Sequence, residues 1–205
     1  KNFATWGIAE INLFLHNVDD AFIAKGDTIL SPKRYDPKAR EFVEGVGAYD
    51  RVLANPPFSI NWGTADTDRQ GQPVWSPKYP ERFRYGQVPL GSKKADLMFL
   101  QHMVAVLREG GMLATVMPHG VLFRGGEERA IRAAMIEADL LEAVIGLPAN
   151  LFYGTGIPAC VLVLRQRKGN ASGKPAERQG RVLFINADRS SSRDRKSTRL
   201  NSSHD

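Results

Sequence analysis

Residues 49–62, YDRVLANPPFSINW, decide how the rest of the chain is read. A short apolar, strand-like piece ending at Ala54 runs directly into Asn55, two prolines and Phe58. Proline fixes φ near −65° and has no N–H, so the strand must stop there on a stiff turn. In an open α/β sheet, ligands gather outside the carboxyl ends of the strands, which is where this turn falls.

Working outward, the flanking sequence has the grammar of a layered α/β sheet. Upstream, TWGIAEINLFLH (5–16) carries apolar side chains at helical spacing and predicts a buried helix. The segment DAFIAKGDTIL predicts a short strand that runs out into a loop at Gly26 and Asp27. Downstream, residues 59–92 are loaded with Gly, Pro and charge and are too long for a passive connector. ADLMFLQHMVAVLREGG places Leu97, Leu100, Val104 and Leu107 on one face and predicts a helix stopped at Gly110 and Gly111. MLATVMP predicts a strand, and GGEERAIRAAMIEA a helix opening on two acids. LLEAVIGLP, IPACVLVLRQ and GRVLFINAD are three further runs of strand length, and without intervening helices they are expected to pair antiparallel.

Composition narrows the class. A length of 205 residues with 42% apolar residues fits one ordinary globular domain, residues 1–189. A single cysteine, Cys160, excludes an internal disulfide framework, and no apolar run reaches the roughly 20 residues of a membrane span. A cytoplasmic protein without a membrane partner is expected. His16, His102 and His119 lack the spacing of a metal site, so no metal is expected. The net charge of +6 favours an anionic partner without naming one. Residues 190–205 combine four Lys/Arg and two Asp with six serines and one large apolar residue, and are expected to be disordered. Such a tail is either a nucleic-acid arm or a frayed, non-native end, and the second is preferred.

The chemistry of the turn follows from its donors and acceptors. Two prolines leave a stretch of backbone that offers carbonyls only, and Asn55 adds a side-chain carbonyl beside them. Two fixed acceptors suit one –NH₂ group, and Phe58 offers a flat apolar face to a planar ring. An aromatic amine is a poor nucleophile because its lone pair is delocalised. Acceptors that hold both hydrogens can localise that pair and stabilise the charge developing during attack. The plain alternative is that Asn-Pro-Pro-Phe is only a tight turn.

The ordered set TWGIAEINLFLH, GDTIL, YDRVLANPPFSINW, KADLMFLQHMVAVLREGGMLATVMPHGVLFRGG, IGLPANLFYGTGIPACVLVL and GRVLFINAD resembles the modification subunit of type I restriction-modification systems. These are adenine-specific DNA methyltransferases with a Rossmann-like fold that use S-adenosylmethionine. The resemblance implies that Asn55 and the Pro56 carbonyl hold the adenine amine, that Pro57 keeps the turn rigid and that Phe58 stacks on the base. Phe152 matches a second aromatic flanking the base, with a core Phe as the alternative. Asp27, an otherwise bare Gly-Asp turn, matches the residue that accepts from the cofactor's adenine amine, and Asn55 is also expected at the cofactor. The base must leave the duplex to reach such a pocket. The implied partners are double-stranded DNA with a flipped adenine, a DNA-specificity subunit and a restriction endonuclease subunit.

The 59–92 segment interleaves cations, among them Arg82 and Arg84, with five aromatics, as expected of a DNA-facing insertion that meets phosphates and unstacked bases; a loop tucked down by its aromatics is the alternative. The resemblance also places a glycine-rich cofactor loop upstream of residue 1. The fold is therefore expected to be an N-terminally truncated methyltransferase sheet, and the chain alone is expected to bind no S-adenosylmethionine and to be inactive. Two other functions stay open: an amino-methyltransferase acting on protein glutamine or RNA guanine, and a non-catalytic assembly module.

Overall fold

The computed structural model describes residues 3–18, 20–47, 49–152 and 156–187; the tail expected to be disordered lies outside them. Its body is one mixed five-stranded sheet formed by β3 (Tyr49–Ala54), β4 (Leu107–Pro118), β5 (Leu141–Gly146), β6 (Ala159–Arg165) and β7 (Leu183–Asn186). The spatial order is β3-β4-β6-β5-β7. Strand β6 runs antiparallel to both neighbours, while β3 with β4 and β5 with β7 pair in parallel. All strands but β6 therefore point the same way, and the segments following β3, β4 and β5 emerge at one edge of the sheet. The antiparallel pairing expected for the last strands holds for β5 with β6 and fails for β7.

Burial alternates along β4, with Leu113, Thr115 and Met117 buried and Met112, Ala114 and Val116 half-buried. This period of two marks a sheet packed on one face. Against that face lie α2 (Asp96–Ala105) and α4 (Glu127–Glu137), with the one-turn α3 (Gly120–Phe123) between β4 and α4. Leu97, Leu100 and Val104 are core residues of α2, as their spacing predicts, whereas Leu107, expected on the same helix face, is buried as the first residue of β4. Ile131 and Met135 bring α4 onto the same cluster.

Three expectations are corrected. The helix α1 (Phe3–Leu15) forms where predicted, but Ile8, Ile11, Phe14 and Leu15 are exposed. It is tethered by Trp6 Nε1 donating to the Ile23 carbonyl at 3.3 Å and by Lys25 over the Trp6 ring. Residues 21–30 form no strand, being irregular up to a turn at 28–30, and the nearby hairpin is β1 (Lys33–Asp36) with β2 (Glu41–Glu44). Finally, α2 ends at Ala105, and Gly110–Gly111 lie inside β4 instead of stopping a helix. There the register with β3 shifts, Gly110 takes φ 69°, and a Cβ at Gly111 would fall 3.0 Å from the Tyr49 carbonyl. The glycines serve a bulge and a close strand approach.

Candidate active site

Asn55 to Phe58 leave the carboxyl end of β3, next to the β4 residues that lead into α3. Asn55 is exposed, and with Leu53, Ala54, Ala114, Thr115, Val116 and Val161 it lines a shallow trough of about 430 Å³ on the less covered face of the sheet. Phe58 and Phe152 are half-buried. Phe152 follows β5 by six residues, so both aromatics lie in segments that leave the sheet at the edge where β3 and β5 end.

The turn is clamped on its downstream side. Ser59 has φ 51°, a left-handed conformation uncommon for a non-glycine residue, and its backbone N–H donates to Asp96 Oδ1 at 2.7 Å. The Ala95 N–H donates to the Ile60 carbonyl, and Trp62 exchanges two backbone hydrogen bonds with Ser92 and Gly91. Residues 59–62 are thus zipped onto 91–96.

The remainder of the 59–92 segment is ordered by its own side chains, and its aromatics turn inward. Trp62 and Phe83 are buried, and Trp75 and Phe83 meet Trp62 edge-on at 4.6 and 4.9 Å. Gly63 has φ 57° and lies so close to Trp75 that a Cβ would fall 2.4 Å from its ring. Three buried polar side chains on α2 hold the segment at separate points. Asp96 takes Ser59, Gln101 accepts from the Tyr85 N–H and donates to the Gly86 carbonyl, and His102 meets Arg82. Burial, with Arg82 adding to it, pushes the His102 imidazole down to about 4. The ring is therefore neutral at pH 7, and Nδ1 accepts from Arg82 at 2.8 Å.

Arg82 is the main correction to the expected site. Its side chain is 2% exposed and faces inward. Nε donates to the Tyr79 carbonyl, Nη1 to Thr28 and His102, and Nη2 to Ile29 at 2.5 Å and to Lys78 at 2.7 Å. A guanidinium spent on five protein acceptors does not meet phosphate. Arg84, by contrast, is exposed and, among the described residues, meets Tyr85 through its hydroxyl and its ring.

Arg82 instead ties the segment to the turn that holds Asp27. Asp27 Oδ1 accepts from the N–H groups of Ile29 and Leu30, each at 3.0 Å, which fixes the carboxylate by an Asx-type turn. Oδ2 has no partner among the described residues and is free to accept from a ligand N–H.

Sequence patterns missed a second charged cluster. Asp96, 1% exposed, also accepts from Arg124 Nη1 at 3.0 Å through Oδ2, and the same nitrogen lies 3.4 Å from Glu128 Oε1. Burial by itself would lower the pKa of Arg124, but hydrogen bonding to Asp96 and the charge of Glu128 leave it raised. The available signal was an acid opening an otherwise apolar helix, since a charge in such a run is normally buried only when paired.

Comparison with known proteins places these residues in context. The N-6 DNA Methylase family model matches residues 1–204. The MjaVIII type I restriction enzyme methylase subunit of Methanocaldococcus jannaschii is 35% identical over 189 residues, 91% of this chain and 30% of that protein. The MpnII methylase subunit of Mycoplasma pneumoniae is 31% identical over 201 residues, 97% of this chain and 34% of its own length. Among solved structures, the methyltransferase subunit of a type I restriction-modification system from Streptococcus thermophilus superposes with a TM-score of 0.69 at 33% identity, over 92% of this chain and 35% of that one. The chain thus spans about a third of the length of the relatives it matches.

Proposed function

The chain belongs to the N-6 DNA methylase family, and from that premise we propose that it is the catalytic portion of a type I modification subunit, transferring a methyl group to the exocyclic amine of adenine in DNA. S-adenosylmethionine would supply an electrophilic methyl on a sulfonium centre, and the free Oδ2 of Asp27 suits the exocyclic amine of its adenine. The observation that carries the proposal is the rigid turn at the end of β3, where the exposed residue Asn55 directly precedes two prolines whose backbone has no donors. Asn55 Oδ1 and the Pro56 carbonyl would accept both hydrogens of the target amine and stabilise positive charge as it develops on nitrogen. Pro57 holds the geometry. Phe58 and Phe152 would take the extruded base between them, and Arg84 would meet phosphate. The whole protein would work in the cytoplasm with a DNA-specificity subunit and an endonuclease subunit; its relatives are methylase subunits of type I restriction enzymes.

The test is labelled-methyl transfer to unmethylated duplex DNA by the full-length protein with its specificity subunit. Asn55→Ala should lower the single-turnover rate by about 10²-fold or more, the scale of losing one transition-state acceptor. An unchanged rate, or label recovered on guanine or on a glutamine side chain, would overturn the proposal.

A further inference from the structure

The Asn-Pro-Pro-Phe turn is held from outside by charge. Asp96 spends one carboxylate oxygen on the Ser59 N–H at 2.7 Å and the other on Arg124 at 3.0 Å, while Arg124 Nη2 reaches Ser59 Oγ at 3.3 Å. Ser59 directly follows Phe58 and is kept at φ 51°. Room for the guanidinium is built in, because a Cβ at Gly120 would fall 2.4 Å from Arg124 Nε. The backbone of Arg124 is fixed in turn by Arg132, whose Nη1 donates to the carbonyls of Arg124 and Val121. Two elements therefore meet at the residue after the turn, the first turn of α2 through Asp96 and the end of α3 through Arg124, while Arg132 of α4 fixes the backbone of Arg124 from behind.

We infer that Asp96 and Arg124 are positioning residues for Asn55–Phe58, acting through Ser59 to hold the two carbonyl acceptors and the Phe58 ring in their reactive arrangement. The inference rests on the proposed methyl transfer for its catalytic consequence, but not for the lock itself. The chemistry needs a carboxylate. An amide at position 96 has one oxygen and can satisfy either the Ser59 N–H or Arg124, leaving the other facing an N–H. Glu128 supplies an internal control, since it binds Arg124 but does not touch Ser59.

The experiment compares Asp96→Asn, Arg124→Lys and Glu128→Gln in the full-length protein by hydrogen–deuterium exchange of the peptide covering 54–62, single-turnover methyl transfer and S-adenosylmethionine affinity. Loss of one charge-assisted hydrogen bond should speed exchange of that peptide about tenfold in Asp96→Asn and slow transfer by a similar factor. Cofactor affinity should stay within about twofold. Arg124→Lys, which keeps the charge between the two buried acids, should fall between wild type and Asp96→Asn and is the variant to use if Asp96→Asn does not fold. Glu128→Gln should leave exchange and rate within about twofold. Exchange of the 54–62 peptide unchanged in both Asp96→Asn and Arg124→Lys overturns the inference, as does faster exchange with an unchanged transfer rate in an active enzyme. A wild type that transfers no methyl group, yet whose turn loosens in these variants, removes the proposed function and supports the lock.

Discussion

Replacing Arg82 by methionine should unfasten three parts of the molecule at once. The side chain joins the Asp27 turn through Ile29 and Thr28, the 59–92 segment through Lys78 and Tyr79, and α2 through His102. A hydrogen bond involving a charged group contributes about 1.5–3 kcal/mol. Thr28 and Lys78 are themselves exposed, so water can replace part of what their carbonyls lose. Counting only Ile29 and His102, both buried, gives a loss of about 3 kcal/mol at the lower end of that range. For a domain of this size that is about 6–12 °C in Tm. Tryptophan fluorescence during thermal unfolding of the full-length protein follows it directly, because Trp62 and Trp75 lie within the segment that Arg82 holds. The comparison is Arg84→Met, a surface change expected to stay within about 0.5 kcal/mol. If Arg82→Met costs no more than Arg84→Met, Arg82 does not anchor these parts and the argument fails.

Acid should act through His102 before it acts through the carboxylates. A histidine at about 4 in the folded chain and near 6.5 when unfolded leaves the unfolded state binding more protons between those values, so stability falls as pH drops through that window, by about 3 kcal/mol at most. His102→Gln should flatten denaturation midpoints between pH 6.5 and 5, and an unaltered slope would reject this. Burial alone would raise the carboxyls of Asp139 and Glu142, but their hydrogen bonds and ion pairs leave them lowered, so their stabilisation is lost only at pH below the ordinary carboxylate range. Arg84→Glu should weaken DNA binding and reduce the slope of log affinity against log salt by about one per lost phosphate contact, measured by fluorescence anisotropy; an unchanged slope removes Arg84 from the interface. Cys160 is fully buried and burial pushes its thiol up to about 11, so a thiol reagent at pH 8 should label it only on unfolding. Labelling at the rate of a free thiol in the native protein would contradict its place in β6.

Local chemistry made much of this protein legible. The strand into Asn55 and its abrupt stop follow from two prolines, whose effect on φ and on donors needs no distant partner. Periodicity sufficed to locate α2, α4 and the strands of the sheet, though not the boundary between α2 and β4, because apolar spacing is a property of each segment alone. It did not suffice where an element needs a neighbour. Residues 21–30 have the composition of a strand but pair with no described strand, and α1 has apolar side chains that no described element covers.

The sequence by itself determined that a stiff, acceptor-rich turn ends a strand of an α/β sheet and that a long segment rich in cations and aromatics follows it. Only the tertiary structure decided which way those side chains face. Arg82 and Arg84 are two residues apart and chemically identical, yet one is sealed among five acceptors and the other is in solvent. A cation is buried only where the fold converges enough carbonyls to replace its water, and those come from Thr28, Ile29, Lys78 and Tyr79, together with the His102 ring, as much as 54 residues away in the chain. The same holds for Asp96 and Arg124, whose role at Ser59 exists only once α2 and α3 have been brought together beside the turn.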